Sequence, residues 1–185
     1  TGNYTIEVTG KLTINKASAD SLGLSVTSYS GAYDAAAHTV TATTTVTEGT
    51  TISYSTDNET WSTTAPTWTD VTEAQTVYVK AENPNYETAN GSGTVTITAL
   101  AITVNDTATE TYDGTEKTLT IAADKASGVL SGETLTLTGA TIKGTNQGEY
   151  TTVSEYTWSV KKADGTTDST GNYTIEVTGK LTINK

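Results

Sequence analysis

The chain of 185 residues contains no Cys, no Met and no Phe. Without Cys, disulfides and thiolate metal sites are excluded. Without Met and Phe, a core must be assembled from Val, Ile, Leu, Tyr, Trp and Ala. Arg is absent too, since all ten cations are Lys. That removes the bidentate guanidinium that reads phosphate or guanine. A formal net charge of −11 would also repel a polyanion, so nucleic acid is not expected as a partner. No run approaches the ~18 apolar residues of a membrane span, and neither a signal peptide nor a sorting tail is legible. There are only two Pro and a single His, His38.

Thr is what fills the chain, at about a quarter of all residues. It is β-branched, favours strands, and suits a solvent-facing strand surface. Short alternating runs and the absence of helical periodicity over ten residues predict an all-β protein.

The strongest sequence feature is an identity. Residues 1–16 read TGNYTIEVTGKLTINK, and residues 170–185 repeat them letter for letter. The offset of 169 residues (170 − 1) predicts a tandem array with that period. A weaker similarity lies inside the period. Tyr33-Asp34-Ala35 with the strand-like residues after it aligns with Tyr112-Asp113-Gly114, at an offset of 79 (112 − 33). This predicts residues 1–16 as the terminal hairpin of a preceding repeat, a first β-module at 17–99 and a second at 100–185. The modules are expected as β-sandwich-like bodies, immunoglobulin-like or grasp-like, in an extended tandem. Formal charge is unevenly divided: −8 in 17–99, −4 in 100–185 and +1 in 1–16.

Within the duplicated segment, a three-residue loop Val8-Thr9-Gly10 would place Tyr4, Ile6, Leu12 and Ile14 on one face, with Gly10 left-handed. The same hairpin is expected from Tyr173, Ile175, Leu181 and Ile183. An arch whose two strands join different sheets is the rival geometry. The first hairpin, parted from its parent module, is expected to dock on a neighbouring surface. A second hairpin is expected at Thr56-Asp57-Asn58-Glu59, between strands ending near Tyr54 and Trp61.

The turn Tyr112-Asp113-Gly114 followed by Lys117-Thr118-Leu119-Thr120-Ile121 resembles the YDG-type repeat of large bacterial surface proteins. Gly171-Asn172-Tyr173-Thr174-Ile175, with Gly179-Lys180-Leu181-Thr182-Ile183, is similar to the closing signature of MBG-type adhesin repeats. Ile52 to Pro66, continued by Val77 to Tyr86, is similar to a neighbouring repeat type. Ala35 departs from the pattern, standing where the family has Gly. The resemblance implies all-β stalk modules of a bacterial cell-surface or secreted adhesin, with neighbouring repeats of the same chain as partners and no catalytic residue.

Three kinds of site are weighed against that expectation. His38 with Asp34 and a nearby Ser would be a hydrolytic triad, but the sister turn has Lys117 where His38 stands, so no enzyme is expected. Asn105-Asp106 and the loop Asp164-Gly165-Thr166-Thr167-Asp168 offer carboxylates to calcium, without EF-hand spacing. Otherwise no cofactor is expected. Tyr54, Trp61 and Trp68 are candidate ligand-binding residues for a host glycan or protein. The alternative is that they fill a core lacking Phe.

Overall fold

A computed structural model of the chain describes residues 2–3 and 6–185. Fourteen strands carry it: β1 (Ser25–Thr27), β2 (Tyr29–Ala32), β3 (Thr41–Thr43), β4 (Thr51–Ser55), β5 (Thr72–Asn83), β6 (Tyr86–Thr98), β7 (Leu100–Thr111), β8 (Lys117–Thr120), β9 (Ala126–Ser127), β10 (Thr134–Thr138), β11 (Thr141–Gly144), β12 (Gly148–Tyr150), β13 (Thr157–Lys161) and β14 (Tyr173–Asn184). Helical structure among the described residues is confined to three short 3-10 turns. The protein is all-β, as its Thr content and alternation predict. Among the described residues no helix is long and apolar enough to cross a membrane.

The chain forms two compact units that interleave in sequence. Unit 1 is Thr1–Ser28, Val40–Pro66 and Thr76–Gly93; unit 2 is Tyr29–Thr39, Thr67–Gln75 and Thr94–Lys185. This differs from a single cut at 99/100. Strands β5 and β6 each contribute residues to both units, so no single peptide bond divides them.

In unit 1, β1 pairs antiparallel with β3, and β4 pairs antiparallel with β5 over Thr51↔Glu82 to Ser55↔Tyr78. Its core centres on Leu22, Ala81 and Ala89, with Leu24, Val46, Ile52 and Tyr86 packed against them. Gly93 lets two valines of the unit pack close to the backbone of β6. A Cβ there would lie 3.0 Å from Val40 Cγ1 and 3.1 Å from Val26 Cγ1. The expected hairpin is narrow: Tyr54 and Ser62 form an antiparallel bridge, with Asn58 left-handed between them.

In unit 2, β14 is an interior strand. It runs parallel to β7 through twelve pairs, from Tyr173↔Leu100 to Asn184↔Thr111, and antiparallel to β12 on its other side. The unit also holds the pairs β8–β11 and β10–β13, β9 antiparallel to β7, and β2 parallel to the end of β6. Its core takes Ile102 and Val104 from β7, Ile142 from β11, Val160 from β13, and Tyr173, Val177, Leu181 and Ile183 from β14.

The closing segment is therefore one strand, and the expected hairpin with its three-residue loop Val177-Thr178-Gly179 is corrected. Tyr173, Ile175, Val177, Gly179, Leu181 and Ile183 are all odd-numbered, so their alternation runs through the glycine without a change of face. A reversal there would give up half of the ladder on β7. Gly179 is required for another reason: a Cβ would sit 2.8 Å from the Asp106 carbonyl oxygen and 3.0 Å from Ile121 Cδ1. Glycine here admits close packing between layers and makes no turn.

The first copy behaves differently. Residues 6–16 form no strand. Ile6, Val8, Leu12 and Ile14 are 85%, 90%, 86% and 87% exposed, so the docked hairpin expected from the sequence is not formed. Tyr4, part of that expectation, lies outside the described residues. The physical reason follows from β14. This sequence encodes a strand needing a partner on each edge, and the β7 and β12 edges of this chain are already occupied by the second copy.

Candidate functional site

The sister turns carry equivalent chemistry. Asp34 Oδ1 accepts the Ala36 N–H at 2.8 Å, and Asp113 Oδ1 accepts the Thr115 N–H at 2.9 Å. The next residue is left-handed in both, Ala35 at φ 62 and Gly114 at φ 82. Ala35 thus adopts the same turn as Gly114 despite lacking glycine's freedom, at a cost of about 1 kcal/mol. Four residues beyond each Asp stands its basic partner: His38 Nε2 lies 2.8 Å from Asp34 Oδ1, and Lys117 Nζ 2.6 Å from Asp113 Oδ2. These contacts hold both carboxyls below the usual carboxylate range, with His38 and Lys117 as the main causes.

The His38 ring stacks on Tyr29 at 3.9 Å between centroids, and its Nε2 is also 3.1 Å from Tyr29 Oη. A hydrolytic triad needs carboxylate and nucleophile on opposite ring nitrogens. Here the carboxylate and the nearest hydroxyl share one nitrogen, and that hydroxyl is a phenol. The geometry is that of a braced turn.

A hydrogen-bond network in unit 2 was not legible in the sequence. Glu133 Oε1 accepts from Tyr33 Oη at 2.8 Å and from Ser169 Oγ at 3.2 Å, while Oε2 accepts from Tyr173 Oη at 2.8 Å. The two tyrosine rings meet edge to face at 5.5 Å. Burial raises the phenol pKa of both, so they stay protonated donors. Next to them, Asn172 Oδ1 accepts the Val71 N–H at 2.8 Å, and its amide donates to Asp70 Oδ1 at 2.8 Å. Asn172 holds the Asp70 carboxyl low, and Asp70 in turn raises Lys162. Asn172 and Tyr173 are the Asn-Tyr of the closing signature, and both are buried. Their role here is to bind β14 to segments far away in sequence.

A shallow cleft of about 430 Å³ borders this network, lined by Asp34, Ala35, Leu130 to Glu133, Lys162 and Ala163. Its carboxylates are Asp34 and Glu133. Each already accepts two or more hydrogen bonds, and His38 holds the Asp34 carboxyl low.

The aromatic candidates divide between the units. Tyr54 and Trp61 belong to unit 1, and Trp68 to unit 2, where it bridges His38. Trp61 shares a cleft of about 450 Å³ with Tyr78, Asn58, Asn90, Gly91 and Ser92. Lys80 Nζ lies 4.9 Å from the centre of the Trp61 ring. Tyr54 borders a separate depression with Pro66, Thr64 and Asp57. Trp61 and Tyr78 are both half-buried, so neither is lost in a core. Tyr78 was missed in the sequence because it lies in an unbroken alternating run that reads as an ordinary strand.

The calcium candidates have local partners. Asp164 accepts from the Thr166 and Thr167 N–H groups and the Thr167 hydroxyl; Asp168 accepts from Thr170. Asp106 Oδ1 accepts the Thr107 N–H. Among the described residues no three His, Cys, Asp or Glu side chains gather as a metal site.

No protein-family model matches the chain, and no curated protein sequence matches it. Among solved structures it is similar to SGBP-B of the Bacteroides ovatus mixed-linkage glucan utilization locus, in complex with a mixed-linkage heptasaccharide. Identity there is 17%, over 85% of this chain and 43% of that one, with a TM-score of 0.30. It is also similar to a three-immunoglobulin-domain structure of titin in an E-to-A mutated variant, at 13% identity over 86% of this chain and 64% of that one, TM-score 0.30. The chain thus spans less than two thirds of either.

Proposed function

We propose that these residues are non-catalytic stalk repeats of a bacterial surface adhesin, projecting a binding region away from the cell. The observation that carries this reading is the sixteen-residue identity at a period of 169. One copy of it is a central strand of unit 2. A protein that repeats a core strand without drift is repeating a structural body. The acidic surface suits it, since like charge keeps a long array soluble and self-repelling. The test is to join two 169-residue periods and compare them with one by small-angle scattering and calorimetry. The stalk reading expects the longest dimension to grow in step with the added period and each period to unfold as it does alone. A compact two-period particle would overturn it.

A second reading is favoured by the unit 1 cleft. Trp61 and Tyr78 supply aromatic faces, and Asn58, Asn90 and Ser92 supply hydrogen-bonding groups, the combination that holds a sugar ring. It would make unit 1 a module that binds a host glycan or glycoprotein. A glycan microarray tests it: binding that is lost in Trp61→Ala and retained in Trp68→Ala supports the cleft, and no binding by the parent chain removes it.

A further inference from the structure

We infer that the unit 1 cleft takes an uncharged glycan and turns away the same sugar chain when it carries sialic acid, sulfate or a uronic acid. This rests on the glycan-binding reading of that cleft and adds the chemical class of its ligand. The alternation of β5 sets the floor of the cleft. Val77, Val79 and Ala81 are 0% exposed and point into unit 1, so Tyr78, Lys80 and Glu82 lie on the opposite face of the strand. Trp61 lies against that face. It shares the cleft with Tyr78, and Lys80 Nζ stands 4.9 Å from the centre of its ring.

The groups that this cleft offers a ligand are neutral. Asn58, Asn90 and Ser92 are exposed along it, and their amides and hydroxyl both donate and accept hydrogen bonds. Asn90 and Ser92 stand two apart on β6 and so share a face. Asn58 sits at the tip of its turn with a left-handed φ of 61. The aromatic rings add faces whose negative quadrupole attracts the C–H groups of a sugar ring and repels an anion.

The charge around the cleft points the same way. From Ala17 onward, the residues of unit 1 include six carboxylates and one cation, Lys80. Asp57 and Glu59 flank Asn58 in the chain. The Ser55 hydroxyl, followed by the Glu59 and Thr60 N–H groups, holds the Asp57 carboxyl well below the usual carboxylate range, so it stays an anion. Lys80 already has its partners: Glu82 Oε2 at 3.1 Å and the face of Trp61. A carboxylate or sulfate on the ligand would therefore meet like charge, and the one cation beside it is engaged. Like charges brought together at a binding surface suppress the wrong partner.

The test applies the full chain to a microarray that pairs neutral oligosaccharides with their sialylated, sulfated and uronic acid counterparts. It is run at low salt and at about 1 M salt, where charges are screened beyond ~3 Å. At low salt each neutral ligand is expected to bind at least about tenfold more strongly than its anionic counterpart, and high salt is expected to narrow that gap. The chain carrying Glu59→Gln and Glu82→Gln is expected to raise the ratio of anionic to neutral binding at least about fivefold at low salt. Equal or stronger binding of the anionic members overturns this inference and leaves the glycan cleft standing. A gap unmoved by salt and by the two substitutions also overturns it, because the exclusion would then be steric. Binding to no member of the array removes the cleft reading, and this inference with it.

Discussion

Leu181 and Leu12 occupy the same place in the same sixteen-residue sequence, yet one is 0% exposed and the other 86%. Replacing each by Ala is therefore an experiment with its own control, because local sequence and propensity are identical. Leu181 lies inside unit 2, and truncating a fully buried leucine costs about 2–5 kcal/mol through lost burial and the cavity left behind. Leu12 has little packing to lose, and an exposed substitution of this kind falls within about 0.5 kcal/mol of neutral. A unit of this size has about 5–15 kcal/mol of total stability, so the first change removes a large share of it. Near the midpoint, ~3 kcal/mol corresponds to a fall of about 10–20 °C, since 1 kcal/mol shifts a domain of this size by several degrees. Scanning calorimetry on the full chain resolves this. Leu181→Ala should lower the transition assigned to unit 2 and leave that of unit 1 in place, while Leu12→Ala should move neither. Equal shifts for the two variants would refute the assignment of β14 as the buried copy and residues 6–16 as the exposed one.

Three further outcomes are expected. Gly179→Val should destabilise unit 2 by at least about 1–3 kcal/mol, because the Asp106 carbonyl cannot withdraw from the new side chain; Gly10→Val, with nothing near it, should be silent in urea titrations. Tyr33 and Tyr173 have folded pKa values raised above the ordinary 10.0, so their contribution is complete below that pH and is lost as pH rises through the folded values. Phenolate absorbance should show two of the ten tyrosines ionising late, together with loss of unit 2, and Glu133→Gln should bring that step to lower pH. Asp57, Asp113 and Asp164 have lowered folded values, the main causes being the Ser55 hydroxyl, the Lys117 ammonium and the Thr167 hydroxyl respectively. Their support is complete above the ordinary 3.8 and declines as pH falls below it, so a triple Asp→Asn variant should lose less thermal stability than the parent between pH 6 and 3.

Local chemistry was legible in the sequence, and long-range chemistry was not. The Tyr-Asp turns announced themselves, and the structure shows why Ala35 and Gly114 are interchangeable there, with His38 and Lys117 bracing the same carboxylate position. The misreading at Gly179 has a specific cause. Thr-Gly between alternating runs is a turn signal, and the shared parity of the apolar residues on both sides suits a three-residue loop and a single strand alike; only the long-range ladder on β7 decides for the strand. The division into units escaped because Tyr29–Thr39 and Thr67–Gln75 join a body made mostly of later residues. The Glu133 network escaped for the same reason: Tyr33 and Ser169 stand 136 residues apart and meet at 3.1 Å. Such a contact leaves no periodic trace. Of the aromatics that line the unit 1 cleft, Trp61 stands out in the sequence by its turn-rich surroundings, whereas Tyr78 is hidden by the regularity of β5.

The parallel pairing of β14 with β7 has a consequence for synthesis. The two strands begin 73 residues apart (173 − 100), so β7 leaves the ribosome well before the strand that completes it. At about 5–20 residues per second the wait lasts several seconds, long compared with the microseconds in which a strand pair forms. By then an identical sequence, residues 1–16, has already emerged earlier in the same polypeptide. Each period therefore folds in the presence of a decoy for its own last strand, and the order in which the copies emerge sets which of them β7 meets first.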